Sequence, residues 1–202
     1  MNSPKSDTRV KIDVELAVPS HPDWVQVIVD NFDEFLQDHA NCERKAVAQA
    51  MGLAMRHPER LELIPHLIRL AQEELEHFAE VYALMEARGL PLVREIKDPY
   101  VNGLLEHCRT HPEERFLDRM LISSIIEARG AERFALVADA LTDPELKAFY
   151  RRLWAAERKH GHLFVNQMLH YFSEEVIRAR LNELLIAEGE LIQRLEWRPS
   201  LH

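Results

Sequence analysis

The chain is short of several things, and each shortage excludes something. Its two cysteines, Cys42 and Cys108, are too few for a disulfide framework and lack Cys-x-x-Cys spacing, which fits a reducing compartment. Only six glycines occur and alternating β-rich runs are scarce, so an all-α fold class is expected. No apolar stretch approaches a transmembrane span, and the first 20 residues carry Lys5, Arg9, Asp13 and Glu15 instead of a secretory apolar core. A cytoplasmic location with no membrane partner is therefore the expectation. Cations are outnumbered, 25 Lys and Arg against 34 Asp and Glu. The net charge of −9 excludes coating nucleic acid by bulk charge but leaves room for a local basic patch. The remainder, 47% apolar and 29% charged, is ordinary for one well-cored domain spanning 1–202.

Against that background two stretches stand out, Glu74-Leu75-Glu76-His77 and Glu157-Arg158-Lys159-His160. Each sets a carboxylate and an imidazole three residues apart, on one face of a helix. With 24 glutamates and 11 histidines in the chain, the motif count alone carries little weight. Placement carries it. Glu43 precedes Glu74 by 31 residues and Glu127 precedes Glu157 by 30, and turn signals at Arg56-His57-Pro58-Glu59 and Leu141-Thr142-Asp143-Pro144 lie midway. If each pair sits on antiparallel helices folded about its turn, the two members differ in height by only about 1.5 to 3 Å. All four carboxylates then share one layer of a four-helix bundle. Glu43, Glu74, His77, Glu127, Glu157 and His160 become candidate ligands of two metal ions.

Taken in order, residues 1–19 read as a leader of low structure packed on the outside. Ser20 caps a first helix running to about Met55, with Pro22 in its first turn and Phe32, Phe35, Leu36, His39, Glu43, Ala46, Ala50 and Leu53 as its inward stripe. A second helix covers about 60–88, with Pro65 marking a late start or kink and Gly89 closing it. Residues 90–112 form a long crossover with a short helix over about 100–109. A third helix spans about 113–140 and a fourth about 144–171, capped by Asp143 with Pro144 behind it. Ser173 caps a fifth helix over about 174–196, a lid or brace across a bundle that occupies 20–171. One long crossover between helices two and three is the ferritin-like connectivity. Glu132 rivals Glu127 as the helix-three carboxylate. It would stand about 6 Å from the height of Glu157 and points elsewhere, so Glu127 is preferred, with Glu132 and His39 kept as candidate supports of the ligands. A lone helical histidine such as His39 is more often simply a satisfied core residue.

Four carboxylates and two neutral imidazoles balance two divalent cations. Oxygen-rich ligation with one histidine per metal suits iron or manganese, whereas a closed zinc site would want cysteines the chain does not have. A di-iron centre with open positions binds O2 and oxidises a C–H bond, the protein supplying position and dryness. The rival readings are a ferroxidase or other di-iron oxidase, a small-molecule oxygenase on the same core, and a non-enzymatic helical module whose motifs are surface ion pairs.

The strings Asp38-His39-Ala40-Asn41-Cys42-Glu43, Glu73-Glu74-Leu75-Glu76-His77-Phe78 and Ile126-Glu127-Ala128-Arg129-Gly130-Ala131-Glu132-Arg133-Phe134 narrow the field. Over about residues 22–190 the chain resembles the bacterial tRNA-(2-methylthio-N6-isopentenyladenosine) hydroxylases, within the ferritin-like di-iron carboxylate superfamily. The resemblance implies a non-haem di-iron monooxygenase that hydroxylates the isopentenyl side chain of a hypermodified adenosine in tRNA, using O2 and an external electron donor. It places the two iron ions on Glu43, Glu74, His77, Glu127, Glu157 and His160. A tRNA partner requires a basic patch, for which the candidates are Arg56 and Arg60, Arg88, Arg94 and Lys97, and Lys147, Arg151, Arg152, Arg158 and Lys159. The oligomeric state expected is a monomer or small homo-oligomer.

Overall fold

A computed structural model describes residues 10–94 and 97–202, and among them all regular structure is helical. Seven α-helices follow in order: α1 (Trp24–Asp30), α2 (Phe32–Arg56), α3 (Ile64–Ala87), α4 (Pro99–Leu105), α5 (Pro112–Ala140), α6 (Pro144–Gln167) and α7 (Glu174–Arg194), with a 3-10 turn at Met168–His170 before the last. Helices α2 and α3 pack as one antiparallel hairpin and α5 and α6 as a second. α4 lies in the crossover that joins them.

Local chemistry sets most of these boundaries. Asp143 accepts hydrogen bonds from the backbone N–H groups of Glu145 and Leu146, and Ser173 accepts one from Val176, so both expected caps are in place. Asp98 caps α4 in the same way through Tyr100 and Val101. Pro65 sits in the first turn of α3, where a missing N–H costs nothing, and Gly89 ends that helix with φ of 69°. Other boundaries differ from the sequence reading. The first long helix is two: the backbone breaks at Asn31, whose side-chain amide donates back to the Val27 carbonyl, and α1 swings away to bury Trp24 and Ile28. Ser20 is no cap, because the half-buried Glu132 carboxylate on α5 draws its hydroxyl and N–H inward. α3 starts at Ile64 because residues 58–63 are spent in turns, and α4 is four residues shorter at its end than expected. The fourth helix tightens into the 3-10 turn after Gln167. Of the expected leader, residues 1–9 lie outside the described residues. Residues 10–19 are fastened to the bundle: Ile12 is fully buried and exchanges two 2.9 Å hydrogen bonds with the Asn166 side chain.

The apolar core has two parts. One joins Leu53, Leu67 and Leu70 to Phe116, Leu121, Phe164 and Met168, with α4 and α7 packed on it. The other joins Phe35, Leu36, Val81 and Met85 to Phe134, Val137, Phe149 and Leu153. The first half of α3 and the first half of α5 share a cluster, so the crossover returns the chain to the end from which α3 began. Between the two clusters, at mid-height on all four long helices, lie the glutamates singled out in the sequence.

α7 is a brace, and its fastening is ionic. Arg129 on α5 is fully buried and donates to both oxygens of Glu188 on α7, at 2.8 and 3.0 Å. It also donates to Glu132 at 2.7 Å and to the Val18 carbonyl at 2.7 Å, while the Tyr100 hydroxyl donates to Glu188 at 2.9 Å. One guanidinium thus ties the leader, α4, α5 and α7. Breaking such a pair strands a buried charge. Glu188→Ala is expected to lose about 3–5 kcal/mol of unfolding free energy in urea titrations, and replacing Arg129 and Glu188 together with methionine should recover much of it.

Candidate metal centre

The mid-height layer gathers one carboxylate from each long helix: Glu43 from α2, Glu74 from α3, Glu127 from α5 and Glu157 from α6. Glu43, Glu74 and Glu157 are at most 4% exposed. Two overlapping sets have their ligating atoms within 4.8 Å of one another: Glu43, Glu74, His77 and Glu157, and Glu74, Glu127, Glu157 and His160. Glu74 and Glu157 belong to both sets, and their oxygens are divided between them. Glu74 turns Oε2 to His77 Nδ1 at 3.3 Å and Oε1 to His160 Nδ1 at 2.9 Å. Glu157 turns Oε1 to His77 Nδ1 at 3.6 Å and Oε2 to His160 Nδ1 at 3.3 Å. Two carboxylates therefore stand between two imidazoles, with Glu43 and Glu127 at the outer ends. All six sequence-selected side chains meet.

Local packing makes the layer narrow. The Ser124 hydroxyl of α5 donates to the Gly161 carbonyl of α6 at 2.7 Å. A Cβ on Gly161 would stand 3.3 Å from the Ser124 carbonyl oxygen and 3.6 Å from Glu127 Cβ, so a larger residue there would press α5 and α6 apart beside Glu127.

The charges are mutually hostile. Burial, then the neighbouring Glu74 and Glu157, push the Glu43 carboxyl well above the usual range. Burial, then Glu157, do the same to Glu127. Burial alone would raise Glu74 as well, but His160 and His77 outweigh it and hold that carboxyl down at about 2. Burial alone would lower His160, yet Glu157 and Glu74 carry it up to about 12. Glu74 Oε1 nevertheless has no aligned hydrogen-bond donor. A buried acceptor whose only near donor, His160 Nδ1 at 2.9 Å, is out of line, inside a nest of acids, fits a cation in the shared space. Four carboxylates around two imidazoles are a donor set that suits hard, oxygen-preferring cations.

Two further groups fix members of the layer, Glu43 and His160. His39 is fully buried, its Nε2 2.7 Å from Glu43 Oε1 and its Nδ1 3.3 Å from the Tyr150 hydroxyl. Burial holds this imidazole down at about 3, so it is neutral; with Glu43 ionised, Nε2–H donates to that carboxylate and Nδ1 accepts from the tyrosine. On the other side, Glu73 reaches His160 Nε2 at 2.8 Å. Glu73 is one residue, about 100°, round the helix from Glu74, so its place off the inward stripe gave no sign of this contact. Glu132 is the correction. It supports no member of the layer, and it accepts from the Ser20 N–H and hydroxyl at 2.6 and 2.7 Å and from Arg129. The buried arginine one helical turn before it, unreadable from periodicity, took that carboxylate away.

A cavity of about 210 Å³ opens onto the four carboxylates between α2, α4 and α5, its wall made apolar by Ala46, Val101, Ile126, Phe134 and Leu201. Several cations noted in the sequence are engaged elsewhere: Arg60 with Glu113, Arg88 with Asp33, Arg151 with Asp139 and Arg152 with Glu80. Lys97 lies at the cavity. Among the described residues no helix is long and apolar enough to cross a membrane.

With this geometry in view, comparison with known proteins is specific. The family model described as tRNA-(MS[2]IO[6]A)-hydroxylase (MiaE) matches residues 8–202. A Pseudomonas putida protein named tRNA 2-(methylsulfanyl)-N(6)-isopentenyladenosine(37) hydroxylase is 36% identical over 184 residues, covering 91% of this chain and 89% of that protein. A Salmonella typhimurium protein of the same name is 32% identical over 159 residues, covering 79% of this chain and 56% of that longer relative. Among solved structures, a Synechococcus protein described as having aldehyde deformylating oxygenase activity superposes with a TM-score of 0.87 at 36% identity, covering 93% of this chain and 94% of its own. The fold is thus the ferritin-like four-helix bundle. With a match along nearly its whole length and relatives above 30% identity, the chain belongs to the tRNA-(MS[2]IO[6]A)-hydroxylase (MiaE) family.

Proposed function

We propose that this chain hydroxylates the isopentenyl side chain of 2-methylthio-N6-isopentenyladenosine in tRNA, as a non-haem di-iron monooxygenase acting in the cytoplasm as one domain. Its ligands in this reading are Glu43, Glu74, His77, Glu127, Glu157 and His160. The observation that carries it is the division of the Glu74 and Glu157 oxygens between two imidazoles, in a chain whose Pseudomonas putida and Salmonella typhimurium relatives carry the hydroxylase name. The overall reaction is R–H + O2 + 2 e⁻ + 2 H⁺ → R–OH + H2O, with the electrons from an external donor. A bound pair of iron ions supplies the O2 reduction and C–H oxidation that no side chain here can perform.

The residues do the rest. Glu74 and Glu157 neutralise charge between the two positions, and Glu43 and Glu127 complete it at the ends. His39, held neutral by burial, fixes the Glu43 carboxylate through Nε2–H. Glu73 fixes the His160 ring through Nε2. The apolar wall of the cavity receives a hydrocarbon side chain and keeps water from the reacting carbon. A second reading, an oxygenase of the same core acting on a small molecule, draws on the net charge of −9 and on the activity in the name of the Synechococcus neighbour.

Nucleoside mass spectrometry separates the two. Deleting the gene should remove the hydroxylated adenosine from tRNA and leave its unhydroxylated precursor; unchanged hydroxylated nucleoside would rule out tRNA as the substrate while leaving the metal site standing. For the ligands, Glu157→Ala should retain less than half of the parent's reconstituted iron and lose at least about 100-fold in turnover, with helical circular dichroism preserved. Parent-level turnover in that variant would sink the ligand set. A third expectation concerns pH. Glu43, Glu127 and His160 all have folded-state values above their ordinary ones, so above the ordinary histidine value of 6.5 the metal-free fold holds more protons than the unfolded chain. Its melting temperature should therefore fall as pH rises from about 6.5 to 9. The iron-loaded chain, with its acids ionised and its imidazoles neutral, should show a flat profile over that range.

A further inference from the structure

Beside the carboxylate cavity lies a second one of about 490 Å³, within the range of ligand sites, between α2, residues 97–98 and residues 198–202. Lys45, Lys97, Asp98 and His202 line both, so the two cavities share a wall. Two side chains on the outer cavity are buried with polar atoms left over. Asn41 is 4% exposed and its Oδ1 has no partner. The His202 side chain is 7% exposed, and neither ring nitrogen has a hydrogen-bond partner. Its nearest acid, Asp98 Oδ2, is 3.6 Å from Nδ1, an ion-pair distance when the ring is protonated but beyond hydrogen-bond reach. Both are nevertheless held in place. The His202 ring stacks on Tyr100 at 5.2 Å and 7°, and residue 201 is pinned on each side, its N–H donating to Asp38 at 2.7 Å and its carbonyl accepting from Arg133 at 2.6 Å. Buried polar groups without partners carry a desolvation cost that a ligand with matching groups removes.

The charge around the cavity is available as well. Among the described residues Lys45, Lys97 and Arg198 form no ion pair, unlike the arginines at the bundle ends. Two of the acids beside them, Asp38 and Asp98, are occupied with the Leu201 N–H and the N-terminus of α4. The required chemistry is then a flat group with adjacent donors and acceptors, carrying anionic phosphate outside and an apolar arm inside.

We infer that this outer cavity is the subsite for the purine nucleoside, with Asn41 and His202 hydrogen-bonding the adenine edge while the N6 substituent passes the shared wall to the four carboxylates. The inference rests on the hydroxylase reading above. The Asn41 amide, donor and acceptor together, matches an adenine edge that offers N6–H beside a ring-nitrogen acceptor. A His202 N–H serves a second ring nitrogen. Lys45, Lys97 and Arg198 face the flanking phosphates. An adenosine turned out of its stack would be read here by its edge, as extruded bases are elsewhere.

The test is equilibrium binding of N6-isopentenyladenosine 5′-monophosphate to the full chain by calorimetry, beside iron content. Asn41→Ala and His202→Ala should each weaken that binding about 5- to 150-fold. Both should keep the parent's iron content and, within a few degrees, its melting temperature. Asn41→Ala removes an amide whose oxygen is unpaired, so folding is not at stake in that variant. Parent-level affinity in both variants overturns the subsite, as does a parent chain that hydroxylates tRNA yet does not bind the nucleotide. A chain that holds no iron and leaves tRNA unmodified overturns instead the reading on which the subsite rests.

Discussion

Four carboxylates at one height in the middle of a helical bundle repel one another and have lost their water. That single constraint shapes the molecule. It splits the apolar core into two clusters, because no continuous hydrocarbon packing can pass through the layer. It drives Glu43 and Glu127 toward their protonated forms and draws a proton onto His160, each a way of removing charge where no cation does so. Cations held among these oxygens would resolve the same conflict.

The two hairpins are alike in plan and different in support. In the α2–α3 half the outer carboxylate, Glu43, is fixed by His39 and Tyr150. In the α5–α6 half the imidazole, His160, is fixed by Glu73, while Glu127 stands beside the small residues Ser124 and Gly161. Equivalent positions therefore have unequal freedom, with Glu43 held on the side where His39 stacks among Phe35, Phe134 and Tyr150. Both halves face the cavity, which opens on the α2–α5 side of the bundle. α7, the leader and residues 198–202 are fastened around the four long helices, and of these segments residues 201 and 202 line the cavity. Arg129, Glu188, Asp38 and Arg133 tie these segments down. Buried polar contacts of this kind set position more than stability.

What the chain determined by itself was whatever depends on short-range periodicity. Apolar steps of three and four, a proline opening α6, caps at Asp143 and Ser173 and a glycine after α3 are local signals, and from them follow the long helices, the crossover and the common height of the four glutamates. Only tertiary packing decided the rest. Glu132 and Glu127 are five residues apart on one helix. Height and direction along that helix already favour Glu127 for the layer, but where Glu132 goes instead is settled by Ser20 and Arg129, through contacts that a helical wheel does not contain. His39 meets Tyr150 across 111 residues, Glu73 meets His160 across 87, and Asn41 and His202 come to one cavity from near opposite ends of the described chain. A helix face follows from a repeat of 3.6 residues, but the partner on the next helix follows from how whole rods pack, and no interval within the sequence encodes that distance.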